Sequence, residues 1–200
     1  MTRTAVQSRR SRTSCSIIAL ATVMAVGATP AAAQSFNGSG TYVTNAVDGG
    51  ITTAPNTTNI ALNGGQTIID WTPTDNAMNP GVGINFQNSG TAVFTGSQDF
   101  SVLNRILPSD ISRAIVMNGA VQSRIGSGQS FVQGGNVYFY SPSGFVFGGS
   151  SSFSVGSLVV TALNPVLDGN NNFIVGNTVQ FGQALNPNAA ISFAGSVSGS

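Results

Sequence analysis

Residues 137–148 read VYFYSPSGFVFG and carry five aromatic rings around a Pro-Ser-Gly turn. Aromatic and β-branched residues favour strands, and alternate residues of a strand point to opposite faces of its sheet. This alternation places Val137 and Phe139 on one face of the first strand, and Phe145 and Phe147 on one face of the second. The stretch therefore predicts two short strands joined by a tight corner, with rings that contribute to an apolar core.

The same pattern extends along the chain beyond its N-terminal end. Short β-prone runs alternate with turn formers such as Asn-Gly, Gly-Gly and Ser-Gly, and no long segment has a helical period. We therefore predict an all-β protein. The runs are TYVT at 41, TIIDW at 67, INF at 84, TAVF at 91, AIVM at 114, VYFY at 137, FVF at 145, SLVVTAL at 157, NFIV at 172 and ISF at 191.

These runs leave the architecture open between a sandwich, a barrel and a β-solenoid. Ile68 and Phe86 are separated by 18 positions, as are Val137 and Val155. An interval of about this length suits the stacked turns, or rungs, of a solenoid. Hairpins around the two-residue turns would instead build a sandwich, and the residues alone favour neither.

The N-terminal segment has the order of a secretory signal peptide. A basic end precedes an apolar run over residues 15–27 and the small residues of 30–33. The apolar run is shorter than the roughly 20 residues that span a bilayer, so we predict cleavage between Ala33 and Gln34 and no stable membrane insertion. The predicted leader, residues 1–33, contains the sole cysteine and four arginines, Arg3, Arg9, Arg10 and Arg12.

Charge after removal of the leader excludes several classes of partner. The remaining chain contains three arginines and six aspartates, and it has no lysine, glutamate or histidine. A weakly acidic surface of this kind does not gather nucleic-acid phosphates or anionic lipid headgroups. The charged residues are Arg105, Arg113, Arg124, Asp48, Asp70, Asp75, Asp99, Asp110 and Asp168.

The same composition removes most catalytic chemistry. Without histidine, lysine, glutamate or a mature cysteine there is no usual triad, no lysine or thiol nucleophile and no common metal site. Asp70 and Asp75 are the aspartates closest in sequence, across a Thr-Pro-Thr turn, and paired carboxylates can hydrolyse glycosides. Asp168 begins a stretch that lacks the later glycine and carboxylate of a calcium loop, so we interpret it as a polar turn. We predict no enzyme activity, no cofactor and no metal.

One ordered set of motifs resembles a known family. The set resembles the N-terminal two-partner-secretion domain, or haemagglutination-activity domain, of filamentous-haemagglutinin-type exoproteins, and the resemblance covers roughly residues 36–195. The motifs are Trp71, Phe86, SVLNRI at 101–106, PSDI at 108–111, Asn118-Gly119, VYFYSPSGFVFG, and FSVGSLV at 153–159.

The resemblance implies a right-handed parallel β-helix, a form of β-solenoid, with an N-terminal cap and short extra-helical β segments over residues 34–195. Residues 196–200 would begin further rungs or mark a truncated end. The family's domain is recognised by the periplasmic modules of an outer-membrane pore protein. Its exoproteins cross the periplasm of Gram-negative-type bacteria and act at the cell surface or outside as adhesins, haemagglutinins or biofilm components.

Carried onto this chain, the resemblance suggests residues that the pore protein contacts. At the aromatic corner the family usually has Asn-Pro-Asn-Gly, so serine replaces asparagine twice and the proline and glycine match. Asn186-Pro187-Asn188 lies too late in the chain to match and is interpreted as a turn. The candidate recognition residues are Leu103, Asn104, Arg105, Asn118, Gly119, Ser141, Pro142, Ser143 and Gly144.

Alternatives remain at each level. Asn104 could instead hydrogen-bond a rung corner and Arg105 pair with a nearby aspartate such as Asp110, which would make both structural. The Gly/Ser-rich residues 120–135 exceed the family spacing and could form an additional rung. For the whole protein, the rivals are a β-helical carbohydrate-active enzyme and an autotransporter passenger, and an adhesin would have a host-surface or carbohydrate receptor.

Overall fold

The computed structural model describes residues 34–47, 50–74 and 81–199, and these residues form strands, turns and loops without a helix. The predicted all-β class is confirmed. The predicted signal peptide and Asp75 lie outside the described residues. Within the described part of the chain, no helix is long and apolar enough to cross a membrane.

Three large sheets hold most of the strands, numbered here in chain order. The first sheet contains, in spatial order, β1 (Gly38–Tyr42), β4 (Gly65–Pro73), β7 (Phe100–Ile106), β11 (Asn136–Tyr140) and β14 (Ser157–Thr161). The second contains β2 (Ile51–Ala54), β3 (Thr57–Leu62), β6 (Thr91–Gly96), β9 (Ala120–Ser127), β13 (Ser152–Ser154) and β20 (Ser196–Ser198), with β10 (Ser130–Gln133) paired to β9. The third contains β19 (Ala190–Phe193), β12 (Gly144–Phe147), β8 (Ile115–Met117) and β5 (Ile84–Gln87).

From β3 to β14 the chain visits the second, first and third sheets repeatedly in that order, interrupted only by β10. Successive strands of one sheet pair in parallel, so that Ile68 lies beside Leu103 and Leu103 beside Tyr138. Parallel pairing is possible here because long connections through the other two sheets separate the paired strands.

The interval of 18 residues, which suited a solenoid rung, is not the sequence separation of paired strands in the structure. Sequence separations between parallel partners run from 21, for Tyr138 and Val159, to 46, for Phe145 and Ile191. Residues 68 and 86 belong to different sheets, β4 of the first and β5 of the third. The 18 residues from Ile68 to Phe86 therefore carry the chain from one sheet to another, and not back to a neighbouring strand of the same sheet.

Antiparallel strands cover the beginning of the first two sheets. β1 pairs antiparallel with β4, and β2 pairs antiparallel with β3. An uncovered edge strand presents unpaired backbone groups that invite association with other chains. These two pairings therefore protect the sheet edges nearest the N-terminal end of the described chain.

Aromatic and branched side chains from the three sheets form one buried cluster. The faces predicted for VYFYSPSGFVFG are confirmed, because Val137, Phe139, Phe145 and Phe147 are buried in one common cluster. Phe36 joins that cluster ahead of β1, and its ring centroid lies 4.8 Å from that of Phe86, 5.1 Å from that of Trp71 and 6.4 Å from that of Phe139.

Two excursions leave the three sheets. Residues 120–135 do not form the additional rung that their length suggested, because β9 runs on into an antiparallel hairpin with β10. After β14 the chain forms the two-stranded pairs of β15 (Leu163–Pro165) with β18 (Phe181–Ala184) and of β16 (Ile174–Val175) with β17 (Thr178–Val179). This second excursion contributes Phe173 to a small cluster with Ile68, Leu103 and Tyr140.

Candidate functional site

Asn104 lies inside the protein, in the middle of β7. Its side chain is fully buried, accepts a 3.0 Å hydrogen bond from Nε1 of Trp71 and donates a 3.2 Å bond to the backbone oxygen of Tyr138. A buried indole N–H needs such an acceptor, since water cannot reach it. The prediction that Asn104 has a structural role is supported, but its position is a strand interior and not a rung corner.

Arg105 points to the opposite face of β7 and is paired with Asp70 of the neighbouring strand. Nε and Nη2 contact the two carboxylate oxygens at 2.6 and 2.7 Å, a bidentate geometry between partly exposed side chains. The alternative that Arg105 pairs with an aspartate is therefore correct, but the partner is Asp70 and not Asp110. Asp110 instead accepts hydrogen bonds from Ser112, which lower the pKa of its carboxyl group. Parallel register brings residues 70 and 105 side by side, which sequence proximity could not reveal.

Asn118 and Gly119 form the corner between the third and second sheets. The backbone N–H of Asn118 donates to the oxygen of Gln87 at 2.6 Å, and Ser150 Oγ donates to the oxygen of Asn118 at 2.8 Å. A Cβ at Gly119 would overlap the side-chain amide of Gln87. Close stacking of successive corners thus explains glycine at this position.

The Ser-Pro-Ser-Gly corner forms the predicted turn and is buried throughout. The N–H of Gly144 donates to the oxygen of Ser141 at 3.1 Å, and the N–H of Ser143 donates to Ser141 Oγ at 3.3 Å. Gly144 has φ of +73°, and a Cβ there would overlap the backbone of Ala190. Serine therefore supplies the side-chain acceptor that asparagine would give in such a turn.

Most candidate recognition residues are inaccessible in the folded protein. Only Arg105 and Asn118 retain partly exposed surface, and the other seven are buried. The structure therefore brings the candidates together as parts of strands and corners and not as one exposed patch.

The excursion after β14 explains part of this burial. Gln66 holds it against the first sheet: its Oε1 accepts from the N–H groups of Phe173 and Ile174 at 3.1 and 2.8 Å, and its Nε2 donates to the oxygen of Ile174 at 2.9 Å. Sequence analysis missed Gln66, because a polar residue at the start of a strand gives no signal for a partner more than a hundred positions away.

The predicted cleavage site lies beside the core. Ala33 is outside the described residues, and Gln34 is partly exposed with Nε2 bonded to the oxygen of Gly38. Ser35 and Phe36 immediately after it are buried, and Ser35 Oγ accepts a 2.7 Å hydrogen bond from Gln87. The first residues after the predicted cut are therefore part of the folded domain.

The described aspartates have structural partners or form turns. Asp70 is engaged by Arg105, and Asp168 accepts hydrogen bonds from the N–H groups of Asn170 and Asn172, which lower the pKa of its carboxyl group. The predicted polar turn at Asp168 is confirmed, as is the turn at Asn186, whose Oδ1 accepts from the N–H of Asn188. Across the described ranges, no three His, Cys, Asp or Glu side chains are grouped so that they could hold a metal ion.

The chain matches no family model, no curated protein and no solved structure.

Proposed function

We propose that this protein is a secreted, non-enzymatic β-helical domain that directs export through an outer-membrane pore protein, in the manner of two-partner secretion. The observation that carries the proposal is the ordered rotation of the chain through three sheets with parallel pairing inside each. A chain that returns to the same sheets in the same order stacks its turns along one axis, as a solenoid does. A right-handed β-helix accounts for this rotation.

The N-terminal strands and the excursions fit the same architecture. The antiparallel strands β1 and β2 would serve as the N-terminal cap, since each covers a first parallel strand. The β9–β10 hairpin and the segment between β14 and β19 would be the extra-helical β segments. These features, together with the motif order of the sequence, support a secretion domain more than a hairpin-built sandwich.

The recognition residues would act in two ways. Buried members such as Asn104 and Gly144 would support export by specifying the fold, or be contacted by the pore protein before the chain folds. Arg105 and Asn118 would remain available on the folded surface. The whole exoprotein would serve adhesion or biofilm structure at the cell surface, with a host-surface or carbohydrate receptor.

Co-expression with the pore gene from the same locus tests the proposal. We expect the protein in the medium when the pore protein is present, and retention in the periplasm when the pore gene is deleted. Secretion that persists without the pore protein would contradict the two-partner route and favour self-transport.

A pair of variants separates recognition from folding. Asn118→Ala alters a partly exposed side chain, and Ser150→Ala, which removes the hydroxyl bonded to the backbone oxygen of Asn118, is its matched control. Reduced secretion of the first variant alone, with unchanged thermal unfolding of both, would assign Asn118 to recognition. Equal secretion of both would remove it from the recognition surface.

A further inference from the structure

The β9–β10 hairpin and the outer face of the second sheet line an open groove of about 260 Å³. It is smaller than the roughly 300–1,000 Å³ typical of sites for drug-sized ligands, so it suits a ligand of about one sugar ring. No acidic side chain lines it. Its lining residues are Gln122, Ser123, Arg124, Phe131, Val132, Gln133 and Ser154.

Arg124 provides the charge of the groove. Its Nε donates to Thr95 Oγ1 at 3.1 Å, and its guanidinium carbon lies 4.5 Å from the ring centroid of Phe131. No described residue forms an ion pair with Arg124 or accepts a hydrogen bond from its two terminal nitrogens. A guanidinium has five N–H donors in a fixed fork that matches a carboxylate, so four remain for a ligand.

The groove is held in shape before any ligand arrives. Gln133 lies opposite Arg124 in the hairpin, and its Nε2 donates to the backbone oxygens of Val155 and Ser198, both at 2.9 Å. Its Oε1 accepts a 3.1 Å bond from Ser154 Oγ. These three bonds tie the hairpin to β13 and β20. Binding therefore does not have to order the hairpin, which keeps its entropic cost low.

The remaining groups suit a sugar. Gln122 lies two residues before Arg124 on the same face of β9 and is exposed, so its amide can both donate to and accept from hydroxyl groups. Phe131 is 36% exposed and offers aromatic surface to the apolar face of a sugar ring. One arginine that has no ion-pair partner among the described residues suits one anionic group better than a dense polyanion.

We propose that this groove binds a sugar residue that carries one carboxylate, such as a terminal sialic or uronic acid. Arg124 takes the carboxylate through its terminal nitrogens, Gln122 bonds ring hydroxyls and Phe131 packs against the ring. The biological role of this binding rests on the proposed function, because the sugar would be the receptor of an adhesin.

The test is a ligand-observed NMR titration of the protein, purified from whichever compartment it reaches, with 3′-sialyllactose, lactose, 3′-sulfolactose and a glucuronic-acid-terminated disaccharide. We expect at least one carboxylated sugar to bind and lactose to bind at least about tenfold more weakly, because one charge-assisted bidentate contact is lost. If sulfolactose binds more tightly than both carboxylated sugars, the carboxylate assignment is overturned. Failure of both carboxylated sugars to bind would overturn the proposal.

Variants assign the binding to the groove. Arg124→Gln should weaken binding at least about tenfold and Arg124→Lys by less, because lysine keeps the charge without the fork. Val175→Ser, an exposed change on β16 outside this groove, is the control and should bind as the parent does. Undiminished binding by a folded Arg124→Gln variant would overturn the proposal. Since purified protein is titrated, this outcome is independent of whether export requires a pore protein.

Discussion

Replacing Asn104 by alanine should destabilise the protein strongly, although the residue touches neither solvent nor a ligand. The change removes the acceptor of Trp71 Nε1–H and the donor to the oxygen of Tyr138. Trp71 is 1% exposed, so water cannot replace the acceptor. An orphaned buried donor costs about 1–3 kcal/mol and the second lost bond about 0.5–1.5 kcal/mol, so we expect a loss of about 1.5–4.5 kcal/mol in the free energy of unfolding.

Denaturant unfolding of four proteins measures this effect: the parent, Asn104→Ala, Trp71→Phe and the double variant. Trp71 is the only tryptophan, so the transition is followed by far-ultraviolet circular dichroism instead of fluorescence. The double variant has no indole donor to leave unpaired. Its loss should therefore fall short of the sum of the single losses by about 1 kcal/mol or more.

Two outcomes would refute this reasoning. The first is an Asn104→Ala variant whose free energy of unfolding lies within about 0.5 kcal/mol of the parent, the range of ordinary surface substitutions. The second is additive behaviour of the two changes. A stable Asn104→Ala variant that is nevertheless not secreted would move Asn104 from the fold to the recognition of the pore protein.

Three further predictions concern the corner, the excursion and a tyrosine. Gly144→Val should lower the free energy of unfolding by about 1–3 kcal/mol or more, because φ is positive there and a Cβ would overlap the backbone of Ala190. Gly149→Val is the control, since Gly149 has open space around it, and its free energy of unfolding should stay close to that of the parent. Thermal or denaturant unfolding measures both variants. Gln66→Ala should speed amide exchange of Phe173 and Ile174 without affecting Val137 in the main core, and unchanged exchange would contradict the anchoring role. Burial raises the pKa of Tyr42 to about 12, so an ultraviolet titration should show its phenol ionising well after a free tyrosine. The folded state favours the neutral phenol, so its stabilising effect is complete below pH 10 and is lost as the pH rises toward 12. Ionisation of all three tyrosines near the ordinary pKa would contradict this.

Local alternation was sufficient to predict the strands and their faces. The rings of VYFYSPSGFVFG face as predicted because side-chain alternation depends on the strand alone. The turn at Gly144 was also predictable, since the backbone preferences of glycine and proline favour turns. Such properties are encoded by neighbouring residues, which is why a single sequence reveals them.

Register and long-range partners were not predictable in the same way. The separations of paired residues vary widely, so no fixed repeat could be found. Arg105 pairs with Asp70 and not with Asp110, although Asp110 is closer in sequence. The parallel register of β4 and β7 places residues 70 and 105 side by side. The groove at Arg124 was missed for a related reason: its walls come from a hairpin that the sequence suggested was a further rung.

The most direct test of the parallel strand order, on which the proposed β-helix rests, is disulfide formation between introduced cysteines. In a Cys15→Ser background, Thr57→Cys with Thr91→Cys and Thr91→Cys with Ala120→Cys place both thiols on neighbouring parallel strands. Adjacent strands lie about 4.8 Å apart, within the range that a disulfide bridges, whereas residues 57 and 120 are two strands apart. We predict rapid oxidation of the first two pairs and none of the pair at 57 and 120. Efficient cross-linking of that last pair, or failure of both neighbouring pairs in folded protein, would contradict the arrangement on which the account depends.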